Sequence, residues 1–182
     1  MNSLNQNECV LFIVDIQEKL VNAVFNKDVL QNKSEVLAKA SSILEIPTLV
    51  TEQYPKGLGE TIPVVKDFLS SDTKYYEKTA FNALADENLI YDLKTLNKKQ
   101  ILVVGIETHI CVYQTVQALL EQGFDVTVIA DSCGSRSEIE YNSALDSMKS
   151  LGAKIKTTEM VLFELLKTAK HPKFKEIQAL IK

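Results

Sequence analysis

Three polar side chains could together perform nucleophilic chemistry: the thiol of Cys111, the carboxylate of Asp15 and the ammonium of Lys78. A nucleophilic cysteine needs a base to take its proton and a positive group or dipole to hold the thiolate. Cys111 follows the apolar stretch QILVVGIE, and the first turn of a helix there would present free N–H groups that favour a thiolate. A buried structural cysteine is equally compatible with this stretch, because cysteine is commonly buried.

Histidine, the usual base for such a cysteine, is scarce in this sequence. His109 precedes Cys111 by two residues, so on a helix their side chains diverge, and His171 lies in the C-terminal tail. The other cysteines, Cys9 and Cys133, are isolated and form neither a disulfide framework nor a CxxC pair. Asp15 and Lys78 therefore remain as base and cation, although a purely structural salt bridge would use the same two residue types.

The elements that must position these residues alternate between strand and helix. Continuous apolar runs predict buried parallel strands; the six predicted strands are 9–17, 46–53, 74–78, 100–107, 124–131 and 153–160. This pattern predicts an α/β fold, a three-layer αβα arrangement with a mostly parallel, Rossmann-like sheet of about six strands. Ligands bind at the carboxyl ends of such strands. The polar residues that follow predicted strands are Asp15, Thr51 to Tyr54, Lys78, Glu107 to Cys111 and Asp131.

Several classes of function are disfavoured by composition and motif. The net charge is −4, with no block of Lys and Arg, so we expect no nucleic-acid partner. No GxGxxG follows a strand and no P-loop occurs, and we expect no cofactor. No apolar run is long enough for a membrane span, and MNSLNQNE lacks a signal-peptide pattern, so we expect a cytoplasmic location and no membrane partner.

Three segments resemble the signature segments of the isochorismatase-like cysteine hydrolases. They are VDIQ with Asp15, EKTAF with Lys78 and GIETHICV with Cys111, in the family's order and at the ends of strands one, three and four. TEQYPKGLG, SRS and HPKFKEIQALIK are more similar to the isochorismatase domain-containing subgroup. The resemblance implies one hydrolase domain over residues 1–182, with Cys111 as nucleophile, Asp15 as general base and Lys78 as the group that stabilises the thiolate.

The resemblance also implies a specialised turn before Cys111. The family pattern has a cis peptide, which here would join Ile106 to Glu107. The N–H groups of Glu107 and Cys111 would then form an oxyanion hole, and Thr108 would hold the turn. The residues alone favour Thr108 as an ordinary N-cap of the following helix, and both roles are compatible.

The second strand end departs from the metal-dependent members of the family. Nicotinamidases bind a metal there through an Asp and two histidines, whereas TEQYPKGLGETIP has no histidine, so we expect no metal. The substrate pocket would instead be lined by Gln53, Tyr54, Phe81, Asn82 and Glu107. The aromatic side chains could equally serve loop or interface packing, and the two amides could be turn residues.

The sequence therefore predicts a metal-independent cysteine hydrolase acting on an amide or related C–N carbonyl bond of a small molecule. The resemblance further implies a homo-oligomer. The alternative is a non-catalytic binding or scaffold protein that retains the hydrolase fold. In DSCGSRS, Arg136 could bind an anion, although a helix cap at Ser135 or Ser137 is favoured.

Overall fold

The two central strands are buried along their whole length, as their continuous apolar sequences predict. The computed structural model describes residues 3–182. Within that range one sheet contains β1 (Cys9–Val14), β2 (Thr48–Gln53), β3 (Lys74–Lys78), β4 (Gln100–Ile106), β5 (Asp125–Gly134) and β6 (Lys154–Lys156). All neighbouring strands are parallel, in the order β3-β2-β1-β4-β5-β6. The predicted three-layer α/β fold with six strands is confirmed.

Alternating residues of β1 face two separate hydrophobic cores, one on each side of the sheet. The helices are α1 (Glu18–Val21), α2 (Lys27–Ile43), α3 (Pro55–Leu58), α4 (Pro63–Lys66), α5 (Glu87–Thr95), α6 (Tyr113–Glu121), α7 (Glu138–Ser150), α8 (Thr158–Leu166) and α9 (Phe174–Ala179). Leu11 and Ile13 join the core beneath α2, α8 and α9, while Val10, Phe12 and Val14 join the core beneath α5, α6 and α7. No helix within residues 3–182 is both long and apolar enough to cross a membrane.

Side-chain caps begin several helices and shorten one predicted strand. Asp86 caps α5 by accepting the N–H groups of Asn88 and Leu89, and Ser137, one of the two serines predicted for the role, caps α7. The predicted sixth strand, 153–160, was too long. Thr157 accepts the N–H of Met160 and starts α8, so β6 stops at Lys156.

The strand order opens a crevice between the carboxyl ends of β1 and β4. These strands are neighbours, but the chain leaves β1 toward β2 on one side and leaves β4 toward β5 on the other. Such a switch point is where open parallel sheets bind ligands. Asp15 directly follows β1, and a π-helical turn, Thr108–Val112, follows β4.

Gly105 allows β1 and β4 to approach closely just before this crevice. Its φ is 143°, and a Cβ built there would lie 2.0 Å from the Val14 carbonyl oxygen. That oxygen belongs to the backbone and cannot rotate away. Only glycine therefore fits between the strands that deliver Asp15 and Cys111.

We expect Gly105→Ala to lower the free energy of unfolding by about 3 kcal/mol or more, because steric overlap adds to backbone strain. Gly152→Ala is the matched control, since Gly152 also has a positive φ (107°) but nothing lies within 4 Å of its added Cβ. It should lose only about 1 kcal/mol. Urea unfolding of both variants measures the difference, and equal losses would contradict the close-approach explanation.

Candidate active site

A buried ion pair between Lys78 and Asp15 forms the floor of the site. The Lys78 Nζ lies 2.6 Å from Asp15 Oδ2, and the two side chains are 4% and 0% exposed. Asp15 has a φ of 53° immediately after β1, a conformation that Asp tolerates better than most residues. Lys78 ends β3, two strands away, so its long side chain reaches across β2, about 10 Å at ordinary strand spacing.

Cys111 lies in the turn that follows β4, with its thiol close enough to Asp15 and Lys78 for both side chains to influence its pKa. The structure thus brings together the three side chains that the sequence singled out. The turn begins one residue earlier than predicted: Glu107 occupies the N-cap position, and the buried Thr108 hydroxyl has no hydrogen-bond partner among residues 3–182. The prediction of Thr108 as N-cap was wrong, because the π-helical turn is wider than an α-helical one.

Burial is the main influence on the pKa of the Cys111 thiol. It raises the pKa of Cys111 to about 12; the neighbouring Asp15 carboxylate adds to the increase, and the Lys78 ammonium opposes it. The shift is opposite in direction to the one expected from free N–H groups at the start of a helix, because burial disfavours the charged thiolate.

The turn before Cys111 begins with a cis peptide bond, between Ile106 and Glu107. The Glu107 carbonyl accepts the N–H groups of Ile110 (3.0 Å) and Val112 (3.2 Å). These two hydrogen bonds fix the backbone on either side of Cys111.

Thr51 is a partner of Asp15 to which the sequence assigned no role. Its buried hydroxyl donates to Asp15 Oδ1 at 2.7 Å, while Lys78 engages Oδ2. Thr51 stood among the polar residues predicted at strand ends. Its contact could not be foreseen, since threonine is common in strands for packing reasons alone.

The residues predicted to line the pocket divide into two groups. Tyr54 and Phe81 are 56% and 52% exposed, as residues at the mouth of a crevice would be. Asn82 uses its Oδ1 to cap a 3₁₀ turn, accepting the Leu84 N–H at 2.9 Å, which matches its alternative role as a turn residue. The side-chain oxygen of Gln53 already has a partner, because Lys78 Nζ donates to Gln53 Oε1 at 2.7 Å.

A second ion pair lies beside the turn. The Arg136 Nε donates to Glu107 Oε1 at 2.8 Å, a contact that the sequence did not predict. Both residues follow neighbouring strands, β4 and β5, and this placement was the signal in the sequence that Arg136 and Glu107 could come into contact. His109 Nδ1 lies 3.0 Å from the buried Ser135 Oγ, consistent with its predicted exclusion as the base.

The strand end that holds a metal in nicotinamidases does not fit one here. Glu52 accepts both the N–H and the hydroxyl of Thr61 at 2.7 Å. Within residues 3–182 no group of three or more His, Cys, Asp or Glu side chains could hold a metal ion.

The site combines a parallel three-layer α/β sheet with a buried thiol, carboxylate and ammonium at its switch point. Residues 9–160 match the isochorismatase domain, and the chain belongs to the isochorismatase family.

Similar proteins cover nearly the whole chain. Isochorismatase domain-containing protein 2 of Xenopus laevis is 40% identical, over 100% of this chain and 87% of its own length. The structure of MAR1 ribonuclease from Caenorhabditis elegans superposes with a TM-score of 0.94 at 39% identity, covering 99% of this chain and 92% of its own. The YcaC gene product of Escherichia coli, described as an octameric hydrolase of unknown specificity, has a TM-score of 0.89 at 26% identity, covering 100% and 95%.

The charge on Asp15 should control the reactivity of Cys111 even without a substrate. Asp15→Asn removes the negative charge that raises the pKa of the thiol, so Cys111 should react with iodoacetamide on the order of tenfold faster at about pH 8. Peptide mass spectrometry measures the rate. Asp125→Asn is the control, since Asp125 is also ion-paired, with Lys154 at 2.7 Å, but lies at the opposite end of the sheet. Slower alkylation in Asp15→Asn would contradict this electrostatic account.

Proposed function

We propose that the protein is a metal-independent cysteine hydrolase that cleaves an amide or related C–N carbonyl bond of a small molecule. The observation that carries the proposal is the buried Lys78–Asp15 ion pair, which lies next to the Cys111 thiol and influences its pKa. Family membership supports hydrolase activity at the coarser level.

The first half of the reaction forms a thioester. Asp15 takes the proton from the Cys111 thiol as the sulfur adds to the substrate carbonyl, and Lys78 offsets the negative charge. The carbonyl oxygen becomes an oxyanion that accepts the N–H groups of Glu107 and Cys111. The C–N bond then breaks, and the protonated Asp15 gives its proton to the departing nitrogen.

The second half restores the enzyme. Asp15 takes a proton from a water molecule whose oxygen adds to the thioester carbonyl. Collapse of that intermediate breaks the C–S bond and expels the Cys111 thiolate, which recovers its proton from Asp15. The net reaction consumes one water and yields an acid and an amine.

The same geometry favours nitrogen as the leaving atom. A thiolate is a better leaving group than an amine anion, so the tetrahedral intermediate breaks forward only when the nitrogen is protonated. Asp15 carries the required proton at that moment because it has just taken it from Cys111. A carboxylic acid beside the sulfur therefore suits C–N cleavage.

A non-catalytic binding or scaffold role is the alternative. The raised pKa of Cys111, about 12, favours it, because a protonated thiol is a weak nucleophile and a binding protein would need nothing more. The catalytic proposal is preferred because Asp15, the base that would remove the proton, lies close enough to influence the pKa of the thiol.

We also propose that the protein is a homo-oligomer, since a structural relative is described as octameric. A cytoplasmic location stays a prediction from the sequence. Size-exclusion chromatography with light scattering should give a multiple of the chain mass, and a monomer at micromolar concentration would contradict the assembly.

A panel of small amides, ureas and carbamates should reveal a substrate whose turnover depends on Cys111. Cys111→Ala should lower turnover by at least about a thousandfold, because the nucleophile is lost. Cys9→Ala is the matched control, because burial also raises the pKa of Cys9, to about 11. Cys9 lies at the amino end of β1, at the opposite end of the strands from the site, so this variant should retain activity. Product formation is followed by mass spectrometry.

An RNA oligonucleotide belongs in the same panel because a structural relative is described as a ribonuclease. We expect no Cys111-dependent cleavage of RNA, since the net charge of −4 gives little attraction for phosphates. Turnover undiminished in Cys111→Ala would refute the cysteine mechanism, and Cys111-dependent RNA cleavage would refute the proposed substrate class.

A further inference from the structure

Lys78 has more acceptors around its ammonium than it has N–H bonds. Two contacts are short, to Asp15 Oδ2 (2.6 Å) and Gln53 Oε1 (2.7 Å), and two are longer, to the carbonyls of Ala80 (3.2 Å) and Phe81 (3.3 Å). An ammonium has three N–H bonds. Asp15 and Gln53 fix two of them, which leaves the third for the longer contacts and the Cys111 thiol.

The Gln53 side chain is held in one orientation. Its Nε2 donates to the Thr79 carbonyl at 2.8 Å, so its Oε1 must face Lys78. Neither end of the amide is left without a partner. A side chain bonded at both ends is poorly suited to bind a substrate, which was its predicted role.

The backbone of Gln53 is clamped as well. The buried Gln17 accepts the Gln53 N–H at 2.7 Å and donates to the Gln53 carbonyl at 3.0 Å. Gln17 also donates to the Gly59 carbonyl at 2.6 Å, which ties the loop after β2 to the same point. Gln53 therefore has little freedom to turn toward the crevice.

The neutrality of Gln53 matters for the charge balance of the site. Asp15 already supplies one negative charge to Lys78, and a second carboxylate there would cancel the positive field that a forming thiolate needs. An amide oxygen directs the ammonium by hydrogen bonding and adds only a partial charge.

We propose that Gln53 is a positioning residue that orients the Lys78 ammonium toward Cys111 and leaves its charge available to the sulfur. This inference rests on the proposed function, in which Lys78 stabilises the Cys111 thiolate. Gln53 would thus act through Lys78, without touching the substrate.

The test uses the rate of Cys111 alkylation by iodoacetamide at about pH 8, which needs no substrate. Gln53→Glu keeps the shape and adds a charge, so the rate should fall on the order of tenfold. Gln53→Leu removes the acceptor that orients Lys78 toward Cys111, so the rate should fall about two- to threefold, less than in Gln53→Glu. The expected order, from fastest to slowest, is wild type, then Gln53→Leu, then Gln53→Glu.

Gln100→Glu is the matched control. Gln100 is a buried glutamine at the amino end of β4, at the opposite end of the strands from the site. Its Oε1 accepts a hydrogen bond from the Cys9 thiol at 3.5 Å. This variant should slow the alkylation of Cys9 and leave that of Cys111 unchanged. Thermal unfolding of each variant shows that it is folded, and the Gln53→Leu arm suffices if Gln53→Glu is not.

Unchanged Cys111 alkylation in the folded Gln53 variants would overturn the inference, and a change confined to KM would return Gln53 to substrate binding. Loss of turnover in Cys111→Ala without the expected order of alkylation rates refutes only the role of Gln53. Turnover retained in Cys111→Ala refutes the proposed function itself.

Discussion

The buried ion pair between Lys78 and Asp15 constrains everything around it. Two charges withdrawn from water need hydrogen-bonding partners in fixed geometry, and removing one member of such a pair typically costs about 3–5 kcal/mol. Thr51 and Gln53, both on β2, supply these partners, one to each ion. The pair thus links β1 to β3 through the strand between them, and Cys111 is placed against a floor that cannot readily rearrange.

The architecture and the meeting of the three side chains were predictable for a physical reason. Runs of apolar residues without alternation form buried parallel strands, and the carboxyl ends of parallel strands share one edge. Asp15 and Cys111 each follow such a run or the turn after it, and Lys78 ends the short predicted strand KYYEK, so their approach follows from chain order. The ordered motifs then distinguished this family from other α/β proteins.

The contacts within the site were not predictable, because they depend on tertiary packing. The pKa of Cys111 is raised mainly by burial, which comes from chain segments distant in sequence. The pairing of Arg136 with Glu107 needs the register of two strands. The widened turn moved the cap from Thr108 to Glu107, since a local sequence does not distinguish a π-helical turn from an α-helical one.

The close approach at Gly105 bears on how such a protein can change over evolution. There the strand leading to Cys111 touches the strand leading to Asp15 through main-chain atoms, with no side chain between them. Side-chain substitutions in either core do not alter these main-chain atoms. The relative placement of Asp15 and Cys111 can therefore persist while the sequence changes at exposed positions around the site, such as Tyr54 and Phe81. A family built on this arrangement can acquire new substrates without reinventing its chemistry.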